Sequence, residues 1–352
     1  MGYLKGDCAY FTYEELEKWG RDVLAKTEMS QEEIDDSMVA LLMANLRGIE
    51  THGITMLPFY AERYKQIEHK DITIEKDTGP GCLIDGGNHT GQHVSMIALR
   101  EALKRAEQYG IGVAVTKEMG HSGAIGNFVA MAAEQGYIGL CSCNSMPLIA
   151  PWGGLEATLG NAPFAIAFPY EEGKPIVLDV ATSVVARQKI YNYRREGKQL
   201  PDGWAMDKEG NPTNDPQAAL DGLLMAIGAH KGTGIALLTD LILGTLAGGA
   251  YSEGICANVD MGKPQHISQM IILIKADAFV DADVRKKVVE AYMERFNQIP
   301  VKKGVEKILL PGELEWNNQK ERAEHGIPIT LPRLKEMQEY SEKIGVPCVT
   351  WS

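Results

Sequence analysis

Ile111-Gly-Val-Ala-Val-Thr-Lys-Glu-Met-Gly-His-Ser-Gly-Ala-Ile-Gly126 is the stretch on which the fold turns. It opens with an apolar run rich in β-branched residues and closes on glycines spaced G-x-x-G-x-x-G, after which the apolar spacing becomes helical. The pattern predicts a strand over Ile111 to Thr116, a tight junction at Gly120 to Gly126, and a helix over Ala124 to Gln135. Working outward, Cys82-Leu-Ile-Asp and Ile138 to Cys143 read as strands and Val94 to Gln108 as a helix. Further apolar runs at Phe164 to Phe168, Ile176 to Leu178 and Ile271 to Ile274 continue the alternation, which is that of an α/β domain.

Upstream the pattern differs. Thr12 with Glu15 and Ser30 with Glu33 are two capping boxes, each opening a run with apolar residues at helical spacing. The first 75 or so residues are therefore expected to be helical, with Arg47-Gly-Ile-Glu-Thr-His-Gly53 at a helix end or in the loop beyond it. Downstream, residues 195 to 217 read as an exposed loop and Asp281 to Gln298 as a charged surface helix. Ile235 to Ala250 contains Asp240 and is too short for a bilayer, which needs about 20 apolar residues, so it is expected to be a buried helix. The tail from Pro311 is polar and helical in its later half.

Composition narrows the function. With 352 residues and 45% hydrophobic content the chain can bury a substantial core, and its net charge of -12 argues against a nucleic-acid backbone as partner. Six scattered cysteines do not make a disulfide framework and contain no C-x-x-C pair, so a reducing cytoplasm is expected and no metal site. The N-terminal residues lack an apolar signal core, and no membrane association is expected.

The chemistry-bearing residues fall into a few clusters. Arg47, Thr51 and His52 combine a fork for a carboxylate with a hydroxyl and a group that moves protons near neutral pH, which suits a small anionic substrate. His121 stands at a strand-to-helix junction, where its neighbouring glycines either expose amides to an anion or only permit a turn. Asp179 ends the strand at Ile176 to Leu178, either as the N-cap of the next helix or as a carboxylate that orients a histidine or a nicotinamide ring. Lys231, in His230-Lys-Gly-Thr-Gly234, sits at the mouth of the apolar helix, placed for phosphate or ribose oxygens. His89 and His93 are four apart and have no third ligand. Neither a G-x-G-x-x-G fingerprint nor a P-loop is present.

Taken in order, these segments resemble the type-2 malate and L-lactate dehydrogenase family, which also includes ureidoglycolate, sulfolactate and 2,3-diketogulonate oxidoreductases. The resemblance rests on Arg47 to Gly53, Met119 to Ile125, Asn144-Ser145, Pro151-Trp-Gly-Gly154, Leu178 to Ser183, Lys231 to Gly234 and Pro311-Gly-Glu313. Trp204 to Thr213 is nearest to the ureidoglycolate branch. It implies a nicotinamide-binding fold other than the Rossmann fold, NAD or NADP as cofactor, and a homodimer with the active site between domains. The domains it suggests are a helical region over 1–75, a substrate and dimerisation domain over 76–120 plus 300–352, and a cofactor domain over 121–299.

By matching positions, the resemblance makes His121 the proton-transferring histidine and His52 a second histidine beside the nicotinamide; in the expected mechanism His52 and Asp179 orient the nicotinamide ring and the histidine. Ser145, Asp179, Val180, Ala181, Lys231, Gly232, Gly312, Glu313 and Leu314 fall at cofactor positions, and Thr51 and Arg47 on the substrate side. Two departures concern the substrate. Met56 stands where many members carry an arginine, and Gly160-Asn-Ala-Pro163 replaces the usual Gly-Thr-Asn-Pro. The expected reaction is hydride transfer between nicotinamide and a small 2-hydroxy or 2-oxo acid of the malate, lactate or ureidoglycolate type. Reduction of a cyclic imine or diketo acid, and silent cofactor binding, are the alternatives.

Overall fold

The computed structural model describes residues 2–351. The chain begins with a hairpin, β1 (Tyr3–Lys5) and β2 (Cys8–Phe11), and continues through the helices α1 (Tyr13–Leu24), α2 (Gln31–Leu46) and α3 (Leu57–Tyr64). There follow β3 (Thr73–Asp77), β4 (Gly81–Asp85), α4 (Gly91–Tyr109), β5 (Ile111–Met119), α5 (Gly126–Glu134), β6 (Tyr137–Cys143), β7 (Phe164–Glu171) and β8 (Lys174–Val180). A small lobe contains α6 (Arg187–Arg195), β9 (Ala205–Met206), β10 (Pro212–Thr213), α7 (Pro216–Asp221) and β11 (Leu223–Leu224). The remainder is α8 (His230–Ala247), β12 (Ile267–Lys275), α9 (Ala282–Asn297), α10 (Glu313–His325), β13 (Ile327–Thr330) and α11 (Leu331–Ile344).

The α/β reading of the centre holds, and the sheet is mixed. Its order is β3-β4-β5-β12-β6-β7-β8; β4 and β5 run parallel and every other neighbouring pair antiparallel. β12 arrives late in sequence and inserts between β5 and β6, with Ile271 opposite both Ala114 and Cys141. α4 can lie close on β5 because Ala98, Ala102 and Ala106 present small side chains, and because Gly112 has none: a Cβ there would come within 2.0 Å of the Ala102 carbonyl oxygen. Gly110, at φ 79°, then ends α4 in the left-handed conformation.

Three expectations are corrected. The N-terminal region is not wholly helical, because β2 is sandwiched between β1 and β13 in a small antiparallel sheet whose third strand lies over 300 residues away in sequence. That distant pairing also governs the grouping of the chain. Residues 327–349 share an apolar core with residues 9–64, and β4 and β5 belong to the same sheet as β6 to β8. Residues 195–217 are more than a loop, since β9 and β10 pair there and Ala205 is buried. Finally, α8 is not enclosed: Leu237, Leu238, Leu241 and Leu246 are 51%, 56%, 56% and 55% exposed.

The two capping boxes also differ. Around α1 both halves form, with Thr12 Oγ1 accepting from Glu15 N–H and Glu15 from Thr12 N–H. At α2 Ser30 caps Glu33 N–H at 3.1 Å, but the Glu33 carboxylate turns inward to other partners.

Candidate active site

α2 ends at Leu46, and two short 3-10 turns at Glu50–His52 and Ile54–Met56 then lead into α3. The turn is pinned by buried Asn45, whose Oδ1 accepts the Ile54 N–H at 2.6 Å. This carries the His52 ring to the His121 ring, with centroids 5.5 Å apart and planes inclined by 23°. Thr51 Oγ1 meets His52 Nδ1 at 2.9 Å, so the threonine sets the orientation of that ring. His121 Nδ1 meets Tyr60 Oη at 2.8 Å, and its own backbone N–H donates to Gln265 Oε1 at 2.9 Å. The two histidines named by sequence reading, 69 residues apart, therefore share one site.

Electrostatics keep both rings neutral. Burial, reinforced by the nearness of His52 and the Arg63 guanidinium, holds His121 down at about 3, and burial alone lowers His52. Tyr60 is pushed well above the ordinary phenol value by burial, so it stays a neutral hydroxyl. A neutral His121 whose Nδ1 is engaged by Tyr60 and whose Nε2 makes no hydrogen bond to a described residue can accept a proton at Nε2. A substrate carboxylate beside it would raise its proton affinity toward the working range.

Sequence reading missed the groups that complete this site. Tyr60 and Arg63 lie on one face of α3 beside His121, together with Gly120 and Gln265 around a cavity of about 30 Å³. The Arg63 guanidinium is buried and donates to the carbonyls of Asn258 and Lys263, anchoring the segment that carries Gln265. Helical spacing after His52 could have singled out Tyr60 and Arg63. No local signal announces Gln265, which follows His121 by 144 positions.

Two candidate residues sit elsewhere than expected. Asp179 touches neither histidine: its Oδ2 accepts the N–H of Gly126, the first residue of α5, at 2.9 Å. Nor does it cap the next helix in sequence, which starts at Arg187 behind Ala186. It caps α5 across the sheet, and Tyr60 occupies the place beside His121 foreseen for a carboxylate. Arg47 is 3% exposed at the end of α2, where Glu315, Glu134 and Asp179 are the charges that act on it, and it is not among those acting on either histidine. Burial lowers its pKa. The cation near His121 is Arg63. His89 and His93 pair with Glu33 and Asp36 respectively, and no cluster among the described residues could hold a metal ion.

The residues expected at the cofactor converge along the edge strand β8. Thr182 N–H and Oγ1 both donate to the Asn161 carbonyl at 2.8 Å, Asn161 Oδ1 accepts from Ser145 Oγ at 2.8 Å, and Ile227 N–H donates to the Thr182 carbonyl at 2.8 Å. These bonds gather Ser145, Val180, Ala181 and the start of α8, with Lys231 and Gly232, into one neighbourhood. On the other side of β8, Val177 N–H donates to the Pro311 carbonyl at 3.0 Å, bringing Gly312, Glu313 and Leu314 alongside. Glu313 is engaged locally by Lys307 and the Leu310 N–H, and Leu314 is exposed.

This set fits a nicotinamide dinucleotide. Asp179 remains accessible, with Oδ1 making no hydrogen bond to a described residue, and the buried hydroxyls of Ser122 and Ser183 have no hydrogen-bond partner among the described residues. The N–H groups of Lys231, Gly232 and Thr233 are already bonded to carbonyls of Gly228, Ile227 and Ala229. A diphosphate would therefore meet the Lys231 side chain and the helix dipole more than bare amides.

The chain is 33% identical over 333 residues to a malate dehydrogenase of Pyrococcus horikoshii, covering 91% of this chain and 92% of that protein. It is 33% identical over 294 residues to an Escherichia coli ureidoglycolate dehydrogenase (NAD(+)), covering 82% and 83%. The sulfolactate dehydrogenase structure from Methanocaldococcus jannaschii superposes with a TM-score of 0.87 at 30% identity, covering 96% of this chain and 98% of that one. The malate/L-lactate dehydrogenase family model matches residues 11–338, and the chain belongs to that family.

Proposed function

We propose that the protein is an NAD(P)-dependent oxidoreductase that interconverts a small 2-hydroxy acid and its 2-oxo acid, with NAD favoured by similarity to an enzyme named for NAD(+). The observation that carries the reading is the His121 ring, neutral, held at Nδ1 by Tyr60 and open at Nε2 beside His52. Bound nicotinamide would supply the hydride acceptor at its C4. His121 Nε2 takes the substrate hydroxyl proton during oxidation and returns it during reduction, while Tyr60 Oη accepts from the Nδ1–H of the imidazolium that forms. His52, oriented by Thr51, limits where the substrate sits. Arg63 adds positive potential that favours a carboxylate, taking over the part first expected of Arg47.

Asp179 to Ala181, Ser145, Lys231 with Gly232, and Gly312 to Leu314 are proposed to line the cofactor cleft. The fold is proposed to be a nicotinamide-binding architecture distinct from the Rossmann crevice, acting as a homodimer in the cytoplasm. The six unpaired cysteines and the exposed apolar side of α8 support these assignments, and no described helix is long and apolar enough to cross a membrane.

The test is a panel of 2-hydroxy and 2-oxo acids, including malate, lactate and ureidoglycolate, assayed with both cofactors at the reduced-nicotinamide absorbance. Turnover of at least one acid is expected. NADH binding without turnover of any acid would reject the catalytic reading in favour of a protein that only binds cofactor.

A further inference from the structure

The turn Asn88–Gly91 is pressed against the Gly120-His121 peptide. Gly120 N–H donates to the His89 carbonyl at 3.0 Å, and a Cβ on Gly91 would lie 2.2 Å from the Gly120 oxygen and 2.4 Å from the His121 carbonyl carbon. Any shift of this turn therefore moves the backbone that carries the His121 ring.

One fully buried carboxylate holds the turn in place. Glu33 Oε1 accepts from Thr90 N–H at 3.0 Å and Thr90 Oγ1 at 2.9 Å, and Oε2 meets His89 Nδ1 at 2.9 Å and Tyr64 Oη at 3.1 Å. His89 Nε2 meets the Lys70 carbonyl at 3.0 Å. A carbonyl and an ionised carboxylate can only accept, so both ring nitrogens of His89 carry hydrogen and the ring is an imidazolium. Burial opposes charge on both partners, yet their hydrogen bond and mutual attraction outweigh it. His89 stands above the ordinary imidazole value and Glu33 below the usual carboxylate value. The ring is faced by Glu33 from α2, Tyr64 from α3, His69 and Asp71 from the segment after α3, and His93 of α4, which Asp36 holds at 2.7 Å.

We infer that Glu33 and His89 form a positioning pair for His121, and that loss of the His89 proton releases the turn and sets the alkaline limit of activity. The inference rests on His121 as the proton-transferring group. A neutral His89 leaves Glu33 as a buried carboxylate without a counter-charge, an arrangement that draws in water or new donors and moves Thr90 and Gly91. Because the His89 pKa is raised on folding, the pair contributes fully below the ordinary imidazole value and its contribution is lost as pH rises through the raised value. The limb is read in the direction of 2-hydroxy acid oxidation, where His121 must be neutral to accept the proton and so gives an acid limb rather than an alkaline one.

The experiment measures kcat and KM against pH for the best substrate, together with an NMR titration of the native protein carrying carbon-13-labelled histidine rings. His89→Gln should lower neutral-pH kcat about tenfold and flatten the alkaline fall while leaving the KM for cofactor within about twofold, a loss confined to the reacting state. The native His89 midpoint should match the alkaline kinetic limb. A His89→Gln profile that superimposes on the native one, or a midpoint more than about one unit from the limb, where one unit is a tenfold change in protonation, would overturn the inference. If His89→Gln does not fold, the native midpoint decides, with His89 assigned by replacing the other histidines singly. If no acid is turned over, the catalytic reading fails separately. The pair is then judged by whether His89→Gln moves the His121 ring resonance, and an unmoved resonance rejects it.

Discussion

Replacing His121 with alanine is expected to lower kcat about a hundredfold or more, the range for loss of a general acid or base, while NADH affinity stays near that of the native protein. Single-turnover absorbance and a fluorescence titration of NADH separate the two. Lys231→Ala should do the opposite, weakening NADH binding about fivefold with little change in kcat, because a solvent-facing cation at a helix start acts on phosphate charge. Met56 closes the 3-10 turn just before α3, as its N-cap residue, and packs partly against the N-terminal core. An arginine there could swing outward, and a new charge-assisted contact to a carboxylate should raise kcat/KM on malate or lactate about tenfold or more. A folded Met56→Arg variant with no gain on malate, lactate or ureidoglycolate would mean that this position does not set the substrate. His52, Thr51 and His121 were legible because glycines and polar groups crowd two short motifs. Adjacency to a motif says nothing about which way a long side chain leaves its helix, and Arg47 is buried near Glu315 and Glu134.

Among the elements, α5 is the one whose start depends on a distant side chain. Burial raises the pKa of Asp179 above the ordinary carboxylate value despite the Gly126 N–H and the field of Arg47. The side chain nonetheless stays open to solvent, which screens that effect, so the raised value carries little stability of its own. Asp179→Asn keeps an oxygen for the Gly126 N–H. It should therefore leave the melting temperature at pH 8 within about 3 °C of the native value while lowering turnover. Thermal melts beside the turnover assay test this, and a larger fall at pH 8 would show that the charge stabilises the helix start. The apolar strands β5, β6, β7, β8 and β12 were legible as runs of β-branched and aliphatic residues. β3, exposed along its length, and β1 carry no alternation to read, so only their pairing partners make them strands.

For the molecule as a whole, the exposed leucines of α8 suit burial against a second copy of the chain. Sedimentation is expected to give about twice the 38.6 kDa chain mass, and Leu238→Lys with Leu241→Lys should shift it to the monomer. A native mass near that of one chain would reject the dimer. The placing of β12 has a further consequence, for the order of events at the ribosome. β5 and β6 are complete by Cys143, yet the strand that belongs between them ends at Lys275. While the intervening residues are being synthesised, the emerging chain holds two apolar strands whose facing edges have no partner, which is the condition that invites pairing with another nascent chain. Premature termination before Ile267 should thus yield insoluble product rather than a smaller folded unit, and growing cells should shield the first half of the chain with a chaperone until the second half arrives.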